Sequence, residues 1–548
     1  MSARNAYTPL LITLAGALFF IPFLGAVHLF DWDEINFAES AREMMVTGDY
    51  TKVQINYLPF PEKPPLFFWM QAISMHLFGV NEFAARLPNA ITGIITLLTF
   101  YIIGKKYYSS RFGLLWALCM LGSFLPHLYF KSGIIDPVFN YFIYMGIFFL
   151  VQLAAERKKS IRVNDAALAG IFIGLGTLTK GPVALLILLL CAAVYWLSKS
   201  FRRFPALREW LLFFLAFILI AGIWFAIDIW ENGIGFAGQF IRYQLELLTQ
   251  PVAGHGGPWY YHFVVVAIGC FPISIIALPA LFKNNFPKDS VDLHRWMQIM
   301  FWVVIILFSL VTTKIAHYSS LTYFPLSFLA AKVLDDVLQN VKRLARWQLI
   351  LLGMIGSLFS ILLIAVPWLA QHKELLIPYL DDPFAVDCLR TDVQWNGSEI
   401  LIGIVYLLCM LSAVALLLAG KNKQGIMILF FSTAMCMFVY LKAVVPKIEA
   451  YSQGPAIRFY QSLQGKKVYV IPVGFKSYAH YFYFQKPAGD DVQSNNEEWL
   501  LRGEVDRPVY FVLKTTSMNR MEEYHDVSLL RTEGGFAFYM REPTLKVP

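Results

Sequence analysis

The chain has 548 residues, of which 57% are hydrophobic, 16% aromatic and only 15% charged. A soluble domain carries charge on about a quarter of its residues. With a mean hydropathy of +0.56, the composition excludes disorder, a collagen-like repeat, a disulfide scaffold and an ordinary water-soluble enzyme, and leaves a polytopic membrane protein. The formal net charge of +8 would suggest nucleic acid in a soluble chain. Here the basic residues cluster between apolar runs and report membrane orientation, so no nucleic-acid partner is expected.

The first apolar run, 8–30, is longer than a signal-peptide core and leads into a carboxylate cluster, so it reads as an uncleaved span. Residues 66–79, with Trp69, Gln71, Ser74 and His76, read as an amphipathic helix lying in the interface. Further runs follow at 86–103, 112–130, 137–154, 165–179, 182–197, 210–229, 260–282, 297–312, 319–334, 348–370, 399–419 and 425–442, about thirteen spans with the first. Basic clusters at 105–111, 157–162, 199–208, 283–295, 342–346 and 421–423 recur at every second connection. The positive-inside rule then predicts a cytoplasmic N-terminus and, with an odd span count, an outside C-terminus. Cys119, Cys191, Cys270, Cys388, Cys409 and Cys436 form no CxxC and read as small core residues.

The tail changes character near residue 445. The stretches 467–472 and 508–513 read as buried strands, 477–484 and 496–502 as helices, and 527–531 with 536–541 as a hairpin around Gly534-Gly535. The expected architecture is therefore an all-α membrane domain, 1–444, followed by a small α/β domain outside the membrane, 445–548.

The outside loops carry the candidate chemistry. The first opens with Asp31-Trp32-Asp33-Glu34, three acids in four residues at the hydrocarbon boundary, where mutual repulsion can raise a pKa or await a cation. Glu39 and Arg42 share the face of a helix behind it, and Glu62-Lys63-Pro64-Pro65 follows. Asp136-Pro137 at an outside turn reads as a helix start, with Asp136 as cap and a possible reactive acid. Lys180 reads as a snorkelling lysine. Gly174, Gly176 and Gly181 lack phosphate-loop spacing, and Gly170 with Gly174 fits close helix packing better. The loop 231–259 supplies Arg242, Tyr243 and His255, and a zinc site at His255 and His262 lacks a suitably spaced third ligand. Lys314 and Tyr318 stand at another outside turn. Carboxylates facing Lys63, Lys180, Arg242 and Lys314 at headgroup depth suit a lipid-carried phosphate attacked by a hydroxyl.

These pieces in this order resemble the bacterial branch of the GT-C glycosyltransferases, which includes the protein O-mannosyltransferases and, more closely, the aminoarabinose transferase of lipid A. The matching residues are Asp33-Glu34 with Phe37-Ala38-Glu39 and Arg42-Glu43-Met44, Glu62-Lys63-Pro64, Asp136-Pro137, Thr179-Lys180-Gly181, Pro258-Trp259-Tyr260-Tyr261, and Lys314 with Tyr318. The resemblance implies a polyprenyl-phosphate sugar as donor, used at the outer face without a nucleotide. It implies Asp33 as base, with Glu34 as the alternative, and Asp136 as the acid that orients acceptor or base. Lys63 and Tyr318 would hold the carrier phosphate, Glu62 would line the site, and Lys180 and His255 are further candidates. The aminoarabinose transferases carry an arginine three residues after the first-loop aspartate. This chain has Asn36 there, so one anion contact is missing, for which Arg242 is the substitute candidate.

The expected function is an inverting, polyprenyl-phosphate-dependent glycosyltransferase of the bacterial inner membrane, acting on a lipid A-like, glycan or protein acceptor in the periplasm. No cofactor or metal is expected, because cations can stabilise a leaving group that is already an anion. The alternatives are a protein O-mannosyltransferase-like enzyme and, in a different class, a lipid-linked sugar flippase. A flippase would need polar groups near the bilayer midplane, whereas the charges here gather at one edge.

Overall fold

The computed structural model describes residues 4–154, 163–202, 204–249, 256–282, 292–489 and 492–544. Among these, seven helices are long and apolar enough to cross a membrane: Glu82–Tyr107, Asp136–Ala154, Leu207–Glu231, Leu293–Leu310, Arg346–Gln371, Ile400–Leu418 and Asn422–Ala443. Shorter apolar helices, among them Tyr7–Phe20, Ser110–Leu121 and Val183–Ser198, complete the bundle. Leu211, Ile218, Leu358 and Leu408 expose their side chains outward, as lipid-facing positions do. The protein is an integral membrane protein. The thirteen uninterrupted spans are not all present, and the interruptions have identifiable causes.

The run 8–30 is helical only over Arg4–Phe20. The turns that follow are held by two buried cations. Lys131 Nζ donates to the carbonyls of Phe19, Phe20 and Pro22 at 3.1, 3.1 and 2.6 Å. Arg86 donates to the carbonyls of Leu24, Val27 and His28 at 2.7, 2.7 and 3.0 Å. Carbonyls freed from helix bonding thus keep partners without water. The run 112–130 breaks at Gly122-Ser123 into Ser110–Leu121 and Phe124–Tyr129; a Cβ on Gly122 would stand 2.5 Å from the Phe430 carbonyl oxygen. The run 260–282 breaks at 270–272 into Tyr261–Gly269 and Ile273–Phe282. The run 319–334 begins as a tight 3-10 turn, Ala316–Thr322, before Tyr323–Leu338. Gly170 lets helix Val163–Lys180 lie against Leu207–Asn232, since a Cβ there would meet the Phe213 carbonyl oxygen at 2.2 Å.

The tail forms a four-stranded mixed sheet. Tyr469–Pro472 runs parallel to Val509–Lys514, which pairs antiparallel with Phe536–Arg541, and Val527–Glu533 closes the hairpin. Gly534 and Gly535, with φ of 57° and 79°, turn it. Helices Gly454–Ser462, Ala479–Phe484 and Glu497–Arg502 cover the sheet; the first was not expected from the sequence.

The tail shares a core with the first loop. Ile35, Phe37, Ala41 and Met44 of helix Asp33–Thr47 pack in one cluster with Ile457, Phe482, Tyr483 and Phe538. That helix is therefore buried from Glu34 to Met44 on every side. Its polar groups are satisfied inside. Arg42 donates to both Glu39 oxygens at 2.7 and 2.6 Å and to the Lys486 carbonyl at 3.0 Å. The same carbonyl accepts from Tyr57 at 2.6 Å. Burial, and then the Glu39 charge, push Glu43 above the usual carboxylate range. Tyr483 Oη accepts from the Leu29 N–H at 2.6 Å, and Glu449 meets His28 at 2.9 Å.

Removing one partner of a buried ion pair costs about 3–5 kcal/mol. Arg42→Ala strips Glu39 of its partner and leaves the Lys486 carbonyl with Tyr57 alone. The expected result is a lower thermal midpoint in purified protein and faster proteolytic release of a C-terminal fragment.

Candidate active site

The first loop, the proline-bounded segment after it and three helix ends meet at one end of the bundle, beneath the tail. They enclose a polar cleft of about 660 Å³. Asp33 enters from the start of the first-loop helix, Asp136 from the start of Asp136–Ala154, and Lys180 from the end of Val163–Lys180. Lys63, Glu62 and Tyr318 complete the set, and all six line the cleft.

Asp136 is the most deeply placed of the cleft acids, with its side chain 4% exposed. Its Oδ1 accepts from Lys180 Nζ at 2.6 Å. Its Oδ2 lies 3.6 Å from His317 Nε2 and has no hydrogen-bond partner. The expected cap thus serves as a paired site carboxylate at a helix N-terminus, where the helix dipole also favours its charge. Asp33 is more open, 43% exposed, with Oδ2 3.3 Å from the same His317 nitrogen. One imidazole therefore stands between the two acids. Burial pulls His317 below the usual imidazole range, against the pull of Asp136 and Asp33.

Lys63 is buried, with Nζ 3.9 Å from Glu62 and 5.2 Å from the centre of the Tyr243 ring. Burial lowers its pKa, partly offset by Glu62. Tyr243 donates to Glu62 at 3.0 Å. Lys180 Nζ lies 4.8 Å from the Tyr318 ring centre, and burial raises the Tyr318 phenol, which stays protonated as a donor.

Lys63, Asp136, Lys180 and Tyr318 also line a second cavity of about 280 Å³. Its remaining wall is largely apolar and includes Phe139, Val183, Leu186, Ile187, Leu307 and Phe308. Polar cleft and apolar cavity thus meet at two cations, a phenol and a carboxylate.

Three expected residues stand elsewhere. Glu34, next to Asp33, points away from the cleft. It forms a buried pair with Arg86 at 2.7 and 3.0 Å and accepts from the N–H groups of Phe30, at 2.9 Å, and Gly133. Burial would raise its pKa, but these partners outweigh it and hold Glu34 below the usual carboxylate range. It anchors the loop and is not placed to act as base. Lys314 donates to the carbonyls of Phe308, Ser309 and Val311 at 3.1, 2.7 and 2.5 Å. It caps the end of Leu293–Leu310. Arg242 is exposed on helix Gly235–Thr249, which turns Tyr243 to the cleft and Ile241 to the apolar cavity. His255 lies outside the described residues. His262, the other half of the zinc reading, is buried beside Phe308.

Sequence reasoning missed His317, although it adjoins Tyr318 and is a lone imidazole at a loop rich in site residues. It also missed the tail's contribution. Lys476 and Tyr478 line the cleft, and Lys476 Nζ lies 5.0 and 5.3 Å from the Trp32 and Tyr478 ring centres. Lys476 brings a cation to the cleft, whereas Arg242 does not line it. Asn36, at that arginine's position, lines the cleft with a buried Oδ1 that has no hydrogen-bond partner.

Residues 62–224 match the family model of dolichyl-phosphate-mannose-protein mannosyltransferases. The undecaprenyl phosphate-alpha-4-amino-4-deoxy-L-arabinose arabinosyl transferase of Pectobacterium carotovorum is 22% identical over 84% of this chain and 80% of its own. Its Erwinia tasmaniensis counterpart is 27% identical over 67% of this chain and 66% of its own. The crystal structure of ArnT from Cupriavidus metallidurans bound to undecaprenyl phosphate superposes with a TM-score of 0.77, covering 98% of both chains at 18% identity. The chain has the fold of this transferase and is a membrane glycosyltransferase. The flippase alternative gives way to this assignment. The described cleft gathers Asp33 and Asp136 at one end of the bundle.

The neighbours Asp33 and Glu34 should separate cleanly on substitution. Glu34→Gln leaves buried Arg86 without its counter-charge and should lower the thermal midpoint of the purified enzyme by several degrees, as a loss of about 3 kcal/mol implies. Asp33→Asn, at a half-exposed site, should stay within about 0.5 kcal/mol of wild type. Equal midpoints for the two variants would contradict these placements.

Proposed function

We propose that this enzyme transfers a sugar from a polyprenyl-phosphate donor to an acceptor hydroxyl at the outer face of the bacterial inner membrane. The observation that carries the reading is the junction at Lys63, Lys180 and Tyr318, where a polar cleft holding Asp33 and Asp136 opens into an apolar cavity. A phosphate on an isoprenoid chain has the matching shape: an anionic head for the lysines and phenol, and an apolar tail for Val183, Leu186, Ile187 and Leu307. Among the similar proteins, the arabinosyl transferases are named for undecaprenyl phosphate and the matched family model for dolichyl phosphate, so both point to a lipid-phosphate sugar. The alternating basic clusters support a cytoplasmic N-terminus, with cleft and tail outside.

In the proposed reaction the acceptor hydroxyl gives its proton to Asp33, the accessible acid, as its oxygen attacks the anomeric carbon. The bond from that carbon to the carrier oxygen breaks, its electron pair stays on the phosphate, and the sugar configuration inverts. Lys63 and Lys180 meet the charge that develops there, so the chemistry calls for no divalent metal. Asp136, already paired, orients its neighbours. Lys476 at the rim and the unpartnered Asn36 oxygen in the cleft wall favour an acceptor bearing both anionic and hydroxyl groups, such as a lipid A-like glycan. The family-model match keeps a protein acceptor as the second reading.

Two measurements test this. Charge-assisted hydrogen bonds are each worth roughly 1.5–3 kcal/mol, so Lys63→Ala should weaken undecaprenyl-phosphate binding by about tenfold to a hundredfold. Tyr318→Phe, losing one neutral hydroxyl, should weaken it less. Equal affinity in all three proteins would sink the carrier site. In transfer from a polyprenyl-phosphate sugar, Asp33→Asn should lower turnover by roughly a hundredfold or more with carrier affinity retained. Near-normal turnover would move the base elsewhere.

A further inference from the structure

His317 is unused by the reaction as written, yet its Nε2 lies within 4 Å of both Asp33 and Asp136, at 3.3 and 3.6 Å. It sits in the tight turn Ala316–Thr322, where Tyr318 follows it into the cleft. The ionisable groups facing it are Asp33, Asp136, Lys180 and Lys63, with His262 behind and the Tyr318 ring 5.5 Å away. With a neutral imidazole, the carboxylates of Asp31, Asp33, Glu62 and Asp136 share the cleft with Lys63, Lys180 and Lys476, an excess of negative charge before any phosphate enters. Lys180 is also already engaged, 2.6 Å from Asp136 Oδ1. To meet a phosphate fully it must loosen that bond, and Asp136, 4% exposed, would be left as a buried unpaired anion. The one Asp136 oxygen without a hydrogen-bond partner, Oδ2, is the oxygen that faces His317.

We propose that binding of the carrier phosphate draws a proton onto His317, whose imidazolium takes Asp136 over from Lys180 and so releases Lys180 to the phosphate. This rests on the carrier site proposed above and makes His317 a positioning residue for it. Linkage is reciprocal: an anion that favours the protonated histidine is bound more tightly when the histidine is protonated. Burial keeps His317 below the usual imidazole range in the free protein, so it has a proton to gain near neutral pH. The phosphate raises its pKa in the complex. The extra affinity is therefore complete below the free-protein pKa and is lost as pH rises through that of the complex.

The test is titration of undecaprenyl phosphate, in detergent micelles, into wild type, His317→Gln and His317→Asn between pH 6 and 8. Calorimetry in buffers of different ionisation enthalpy counts the protons taken up. Glutamine keeps an N–H near the Nε2 position but does not titrate, and asparagine is a second variant should the first be unstable. The carrier's own phosphate ionisation contributes equally to all three. Wild type should take up more protons at pH 7 than either variant. Its affinity should fall more steeply with pH, by up to about tenfold more per pH unit, the ceiling for one linked proton. Identical pH slopes overturn the proposal while leaving the carrier site intact. A uniform loss across the whole range also overturns it, marking His317 as merely structural. No binding by wild type at any pH removes the carrier site and this proposal together.

Discussion

A carboxylate held dry beside an apolar cavity must find a cation or give up its charge, and Asp136 places that demand on the whole cleft. It fixes where Lys180 ends its helix, where the turn carrying His317 and Tyr318 sits, and how closely Lys63 can approach. Groups drawn together to neutralise one buried acid are also the groups a phosphate would find on arriving from the lipid side. Binding and chemistry are served by the same electrostatic constraint. The apolar cavity strengthens it by excluding the water that would otherwise screen these charges.

The same rule separates neighbouring residues. Asp33 and Glu34 are adjacent, but a helix start turns them about 100° apart, so one faces the cleft and the other meets Arg86. The Glu34–Arg86 pair collects backbone from Leu24 to His28 together with Phe30 and Gly133, and so fixes the loop that presents Asp33. The tail holds the helix from behind through Lys486 and Tyr483 and reaches over the cleft with Lys476 and Tyr478. It is thus part of the site wall as well as a cover.

The fold class was legible because twenty-residue apolar runs and alternating basic clusters are written in composition. So were the tail strands, whose period and glycine turn are local features. The breaks at Phe20, Gly122 and Cys270 were not, because hydropathy averages over residues; at the first it does not see carbonyls that Lys131 and Arg86 satisfy from distant segments, and at the second the close approach of Phe430. Asp33, Asp136, Lys63, Lys180 and Tyr318 were found as charges or phenols at predicted outer edges. Glu34 and Lys314 had the same signature and went elsewhere, since depth along a span does not reveal which way a side chain turns. His317 and Lys476 were missed because their meaning lies in contacts with residues hundreds of positions away.

In the proposed complex the carrier's tail occupies the apolar cavity joined to the cleft. A second apolar cavity, of about 490 Å³, lies behind Arg86 and Lys131 and is lined by Phe124, Phe359 and Cys436 among others. Photolabelling with a polyprenyl phosphate that carries a diazirine in its first isoprene units, followed by peptide mapping, distinguishes the two. Labels on Val183, Leu186, Ile187 or Leu307, competed away by undecaprenyl phosphate, are the expected result. Competable labels confined to Phe124, Phe359 and Cys436 would contradict the claim.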